Sequence, residues 1–269
     1  MRSDPKALVI TGFGLNCEDE TVYALRRVGA LVCGIHLNDL LKEPHLLREH
    51  QILILIGGFS FGDHIAAGRV FAARLRHRLK EPLRDFILSG NLVMGICNGF
   101  QTMVKLGILP ALGSDLFEQE VSLIHNDSGV FRNDWVHLSV DPQSPCVFTR
   151  GMKHIELPIR HGEGKFVPRD QEQLKEILEQ RLVALRYVDP KTGEPTLTHP
   201  HNPNGSIAGI AGICSPSGRL FGLMPHPEAY HSAYNHPQWQ RRRRDLKTSL
   251  EGEGLLFFQN AVEFVKDAL

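Results

Sequence analysis

The stretch Leu92-Val93-Met94-Gly95-Ile96-Cys97-Asn98-Gly99-Phe100-Gln101 constrains the fold of this chain more than any other. An apolar run stops at a Gly-x-Cys-x-Gly core, and a helical pattern opens at Phe100 and runs to Leu106. That is the outline of a nucleophile elbow with cysteine in place of serine. A residue on so sharp a strand-to-helix turn forces its neighbours together, and Gly95 and Gly99 leave the room that a Cβ would fill. The turn sets Cys97 at a helix N-terminus, where unpaired N–H groups and the helix dipole favour the thiolate. The Asn98 N–H then stands where an oxyanion would form. A buried strand-end cysteine that only packs is the competing reading of the stretch.

The surrounding pattern tells what kind of sheet carries this turn. Ala7 to Ile10, Ala30 to Ile35 and Ile52 to Ile56 read as strands, and Glu18 to Val28 and Leu75 to Leu88 as helices. Strands alternating with helices in units of about 30 residues call for a parallel, doubly wound sheet. Ligands of such sheets lie beyond the carboxyl ends of the strands, where Gly57-Gly58 and Cys97 both fall. After Pro110 the pattern changes. Short alternating segments from Glu118 to Val140 and from His154 to Val188 predict antiparallel strands added to the core, with a surface helix over Gln171 to Gln180. Ile207 to Cys214 and Arg219 to Met224 form a hairpin turning at Pro216-Ser217-Gly218, and Gly254 to Leu269 is a last helix. The expectation is one α/β domain over residues 1–269, a mostly parallel sheet with added antiparallel strands.

A second chemical segment follows the hairpin: Met224-Pro225-His226-Pro227-Glu228. In an extended chain, residues two apart point to the same side, so His226 and Glu228 project together. A carboxylate beside an imidazole fixes its tautomer, and the imidazole can take a thiol proton. Ile56-Gly57-Gly58-Phe59-Ser60-Phe61-Gly62-Asp63 supplies the other half of an oxyanion hole through backbone N–H groups near Gly58 and Phe59. It lacks the Gly-Lys-Ser/Thr ending of a phosphate loop.

Composition narrows the classes. Thirty basic and thirty acidic residues cancel, so no global charge draws the chain to nucleic acid or an anionic membrane. No run approaches the roughly 18 apolar residues of a membrane span. The N-terminus has no signal-peptide layout, and five cysteines without a C-x-x-C pair suit a reducing compartment, so a cytoplasmic location is expected. Cys33 and Cys214 read as packing residues, and Cys17 and Cys146 as loop cysteines with nothing nearby to activate them. His199, His201, His231 and His236 lack cysteine or carboxylate partners at ligand spacing, so no metal is expected. The run Arg241 to Arg244 reads as a solvated face.

Taken together these residues carry a family resemblance. Gly-Ile-Cys-Asn-Gly-Phe-Gln (95–101) with His-Pro-Glu (226–228) resembles the class I, triad glutamine amidotransferases, whose fold is flavodoxin-like. Gly-Gly-Phe-Ser-Phe-Gly-Asp (57–63), His-Gly-Glu-Gly-Lys-Phe (161–166), Asn-Pro-Asn-Gly-Ser (202–206) and Met-Pro-His-Pro-Glu (224–228) follow in order. This set is similar to the branch formed by the glutaminase subunits of phosphoribosylformylglycinamidine synthases. The resemblance implies that Cys97 attacks the side-chain amide of L-glutamine, that His226 oriented by Glu228 moves the protons, and that Gly58, Phe59 and Asn98 hold the oxyanion. It implies glutamine recognition by Gln101, His161 and Glu163. It also implies ammonia delivery to a large synthetase subunit that uses ATP and magnesium to convert formylglycinamide ribonucleotide to the amidine, with a small bridging subunit. No cofactor is expected in this chain itself. Residues 230–252 exceed what compact members need and read as a partner-facing insertion. The alternatives are another Cys-His-Glu amidase or peptidase on the same scaffold, and a non-enzymatic subunit with a relic site.

Overall fold

The structure is a computed structural model that describes residues 4–113, 115–242 and 250–268. In chain order its regular elements are β1 (Lys6–Thr11), α1 (Glu18–Arg27), β2 (Leu31–His36), α2 (Leu37–Leu40), β3 (Ile52–Leu55), α3 (Arg69–Leu88), β4 (Leu92–Ile96) and α4 (Asn98–Leu106). The second half adds β5 (Val121–Ile124), β6 (Arg132–Val140), β7 (His154–His161), β8 (Lys165–Pro168), α5 (Gln171–Glu179), β9 (Val183–Tyr187), β10 (Ile210–Cys214), β11 (Leu220–Leu223), α6 (Trp239–Arg242) and α7 (Leu255–Ala268).

Nine strands form one sheet in the order β2-β1-β3-β4-β11-β10-β9-β6-β7. The first five are mutually parallel, and the rest pair antiparallel. The expected doubly wound core with antiparallel strands at its side is therefore what the chain forms. One refinement is that β5 and β8 pair only with each other, as a separate two-stranded sheet.

β3 and β4 are buried at every position, which explains their unbroken apolar character: helices cover both faces. The path from β1 to β2 moves one way along the sheet and the path from β3 to β4 moves the other. Right-handed crossovers then place α1 and α3 on opposite faces, with a crevice where the direction reverses, between β1 and β3. α3 begins at Arg69, six residues before the expected start. Its buried stripe, Phe71, Leu75, Leu79, Leu83 and Phe86, opens on a phenylalanine one turn ahead of the first leucine. α7 packs through Phe257, stacked 6.1 Å from Phe221, which in turn lies 5.5 Å from Phe148. No described helix is long and apolar enough to cross a membrane.

Candidate active site

Neighbouring parallel strands deliver Cys97 and His226. β4 and β11 run in register, with Leu223 opposite Ile96, so the residues that follow them leave the sheet at the same edge. Cys97 follows β4 directly, and its N–H donates to the Leu223 carbonyl at 2.8 Å. His226 follows β11 after two residues, and its N–H donates to the Pro158 carbonyl of β7 at 2.8 Å. The far strand of the sheet thus returns to cover the site, and the Arg160 carbonyl of β7 accepts from the Cys97 thiol at 3.6 Å.

Cys97 has the backbone of an elbow, φ 50° and ψ −103°, a sparsely populated region for a residue with a Cβ. Such strain costs about 1–3 kcal/mol and persists where the surroundings hold it in place. The two glycines behave as the sequence requires. A Cβ on Gly99 would overlap the Leu55 carbonyl, and one on Gly95 would stand 2.6 Å from the Met103 sulfur and 2.7 Å from the Gly99 carbonyl. Cys97 caps α4 at its N-terminus, so the helix dipole bears on its sulfur.

His226 and Glu228 meet as expected but by a different backbone. Residues 227–230 form a short 3₁₀ turn with Pro227 at its first position, not an extended run. The turn brings Glu228 Oε1 to 2.5 Å from His226 Nδ1, with both side chains buried. Burial works against charge on this ring. The neighbouring Glu228 carboxylate and then Cys97 outweigh it, and His226 is held protonated well above the usual histidine range. With Nδ1 engaged, Nε2 is buried and has no hydrogen-bond partner. It is the ring nitrogen left without an engagement in the fold.

The oxyanion side needs one correction. The Phe59 N–H donates to the Gly14 carbonyl at 2.7 Å, because the loops after β1 and β3 pair across the crevice. Engaged there, it is not free for an oxyanion, whereas the amides of Gly58 and Asn98 remain the expected donors. Gly58 has φ 137°, and a Cβ there would stand 2.7 Å from the Gly14 carbonyl oxygen, so only glycine fits. The Phe59 side chain instead lines the mouth of the cleft, 6.0 Å from Phe131 between ring centres.

A cleft of about 220 Å³ opens beside Cys97, lined among others by Gly58, Asp63, Gln101, His161 and Glu163. It is smaller than the roughly 300–1,000 Å³ typical of drug-sized ligands, and suits an amino acid. Gln101 lines it, yet its amide is tied into the fold: Oε1 accepts from Asn98 Nδ2 at 3.1 Å, and Nε2 donates to the Glu163 carbonyl at 2.5 Å. Asn98 Nδ2 also donates to Asp63 Oδ1 at 3.1 Å. Burial pushes the Asp63 carboxyl up, opposed by that hydrogen bond. Glu163 accepts from the Ala67 N–H at 3.3 Å. His161 is buried, its Nδ1 3.2 Å from Asn126 Oδ1 and its Nε2 without a partner. Burial, reinforced by the His226 charge, pushes it down to about 3, so it stays neutral.

Several residues here escaped the sequence reading. Asp63 closes the Gly-Gly-Phe-Ser-Phe-Gly-Asp motif, in which nothing local marks it for a role. Asn126 anchors the 161–164 loop, donating to the His161 carbonyl at 2.9 Å and accepting from the Gly164 N–H at 3.1 Å; only an Asn-Asp turn signal marked it. The 202–206 motif lies behind this loop and builds it. Asn204 donates to the Gly164 carbonyl at 2.8 Å, and Ser206 Oγ accepts from the Phe166 N–H at 3.0 Å. Cys17, expected as a loop cysteine with nothing nearby to activate it, does lie in the loop before α1 and burial raises its thiol, but it is buried with Sγ 3.9 Å from His226 Nδ1. The arginine run is corrected in part: Arg242 pairs with Glu156, while Arg243 and Arg244 lie outside the described residues.

Comparison with known proteins agrees with this geometry. The family of CobB/CobQ-like glutamine amidotransferase domains matches residues 4–265. The chain is 41% identical to the phosphoribosylformylglycinamidine synthase subunit PurQ of Dehalococcoides mccartyi, covering 98% of this chain and 99% of that one. It is 34% identical to the phosphoribosylformylglycinamidine synthase of Drosophila melanogaster, over 95% of this chain but 19% of that one. Among solved structures, PurLQS from Thermotoga maritima superposes with a TM-score of 0.70 at 29% identity, covering 98% of this chain and all of the matched chain. The chain belongs to the glutamine amidotransferases, within the family of phosphoribosylformylglycinamidine synthase PurQ subunits.

Proposed function

We propose that this chain is the glutaminase subunit of a phosphoribosylformylglycinamidine synthase, hydrolysing L-glutamine to glutamate and ammonia through a thioester on Cys97. The observation that carries the reading is the buried His226–Glu228 pair, whose unengaged Nε2 serves the Cys97 sulfur.

The Cys97 thiolate attacks the side-chain amide carbon of glutamine. The oxygen becomes an oxyanion received by the amides of Gly58, in the loop after β3, and Asn98, at the N-terminus of α4. His226, as imidazolium, gives its Nε2 proton to the amide nitrogen; the C–N bond breaks, ammonia departs and the γ-glutamyl thioester remains. The neutral imidazole then takes a proton from water as it attacks the thioester. Glutamate leaves and the thiolate and imidazolium are restored. Glu228 holds the ring's tautomer and balances its charge throughout.

Glutamine carries an ammonium and a carboxylate on its α-carbon. The Asp63 and Glu163 carboxylates, set at one end of the cleft, suit the ammonium, and Gln101 and Asn98 hold that end in shape. His161, neutral, lines the cleft with a buried Nε2 that has no partner.

Ammonia passes to a large synthetase subunit that uses ATP and magnesium to make the formylglycinamidine ribonucleotide, with a small subunit bridging the assembly. The solved PurLQS assembly and the Drosophila synthase, in which the matched region is a fifth of one chain, support that arrangement. Residues 1–269 form one amidotransferase domain, with 230–252 as an insertion toward the partner. The test is glutamate release by the purified chain with and without synthetase, ATP and formylglycinamide ribonucleotide. Weak turnover alone that rises sharply in the full mixture supports the reading. Turnover that ignores every such partner removes it.

A further inference from the structure

Behind the reacting face of His226 lies a set of ligands that shares the His226–Glu228 pair and adds one thiol. Cys17 Sγ, a His226 ring nitrogen and a Glu228 carboxylate oxygen lie within 4.8 Å of one another, and all three side chains are buried. Cys17 stands at the start of α1, beyond the loop that follows β1, and reaches across the crevice toward Nδ1, the nitrogen that faces Glu228. Gly57 makes the approach possible: a Cβ there would lie 2.8 Å from His226 Cε1 and 3.1 Å from Cys17 Sγ. The thioester chemistry has no use for a thiol on this side of the ring, since it runs through Nε2.

We propose that Cys17, His226 Nδ1 and Glu228 form an inhibitory site for a borderline-soft divalent cation of the Zn²⁺ class. The donor set is the first argument. Thiolate, imidazole and carboxylate are the three side-chain ligands Zn²⁺ takes, at about 2.3, 2.0–2.1 and 2.0–2.2 Å. The 3.9 Å from Cys17 Sγ to Nδ1 is close to the separation of two ligands on one tetrahedral ion.

The second argument is an orphan atom. Glu228 Oε2 is buried without a hydrogen-bond partner, an arrangement that proteins generally avoid. Oε1 lies too near Nδ1 at 2.5 Å for both atoms to ligate one ion unmoved, so Oε2 is the natural third ligand.

Charge is the third. Binding releases the Cys17 thiol proton and the Nδ1 proton. The resulting thiolate, neutral imidazole and carboxylate carry two negative charges, which a divalent cation cancels. Burial is then tolerated where a lone charge would not be. With metal on Nδ1, His226 is severed from Glu228 and cannot cycle its proton, and glutamine hydrolysis stops.

The loss of turnover rests on the glutaminase reading; the binding does not, and the experiment separates them. Co²⁺ is titrated into the Cys97→Ser chain, where the reactive sulfur cannot contribute a ligand. One equivalent should give a thiolate-to-cobalt charge-transfer absorption, and Cys17→Ser in the same background should abolish it. No absorption in Cys97→Ser, or absorption that survives in the double variant, overturns the site. In parallel, Zn²⁺ should stop glutamate release by the complex with the native chain, a chelator should restore it, and the Cys17→Ser complex should keep turning over in Zn²⁺. If Zn²⁺ stops both alike, the metal acts at Cys97 and the inference fails. Cys17→Ala serves as a second variant should serine at this buried position prevent folding, with thermal unfolding as the check.

Discussion

His226 Nδ1 and Glu228 Oε1 stand 2.5 Å apart at the end of β11, one side chain 2% exposed and the other fully buried. At that depth the carboxylate decides both which nitrogen of the ring is free and whether the ring is charged. Glu228→Gln keeps the shape and removes the charge. Its kcat for glutamine hydrolysis in the complex should fall by roughly 10²- to 10⁴-fold, with the fold intact by circular dichroism. Activity within a factor of a few of native would mean that Glu228 does not orient the base.

Two histidines of the site affect stability in opposite senses with pH. His161, pushed down to about 3, is neutral in the fold but takes a proton when unfolded below about pH 6.5. Its contribution is complete above that value and is lost as pH falls toward 3, by roughly 1 kcal/mol per pH unit. His226, held above the ordinary value, contributes stability fully below about pH 6.5 and loses it as pH rises through its folded value. Denaturant unfolding of the native chain and of His161→Gln at several pH values between about 4 and 7 should show the acid slope reduced in the variant. Parallel curves would contradict a buried neutral His161.

The elbow has no space for one more methyl group. Gly99→Ala sets a Cβ against the Leu55 carbonyl, a backbone atom in a fully buried strand that cannot step aside. The variant should lose about 1–3 kcal/mol or more and lose turnover with it, because α4 must shift away from β3 and carry Asn98 along. A melting temperature equal to the native one would refute the packing argument.

Asp63 lines the cleft and accepts from Asn98 Nδ2. If its carboxylate receives the substrate ammonium while steadying Asn98, Asp63→Asn should raise KM for glutamine by about tenfold, the scale of one charge-assisted hydrogen bond, and change kcat less. An unchanged KM with a lower kcat would assign Asp63 to the oxyanion side through Asn98 instead.

The parts legible in the sequence were those with local causes. The strand-helix alternation, the Gly-x-Cys-x-Gly turn and the placement of Cys97 and His226 at one sheet edge all follow from periodicity and backbone room. What escaped depends on contacts between distant segments. Cys17 looks like an ordinary loop cysteine until β1 and β3 lie side by side and bring it to His226, 209 positions away. The engagement of the Phe59 amide is invisible in the sequence because its partner, Gly14, belongs to another loop. His226 and Glu228 did meet, though through a 3₁₀ turn that Pro227 opens and not an extended strand. The 202–206 motif was noticed as a pattern, but only the fold reveals that it builds the 161–166 loop from behind.

The most direct measurement is covalent labelling by a glutamine-mimicking diazo-ketone, read by mass spectrometry of the digested protein. The account predicts one adduct on Cys97, prevented by excess L-glutamine, absent in Cys97→Ser, and sharply slowed in Glu228→Gln. An adduct on another cysteine, or labelling of Cys97 that glutamine does not prevent, would contradict a thiol built to open the glutamine amide.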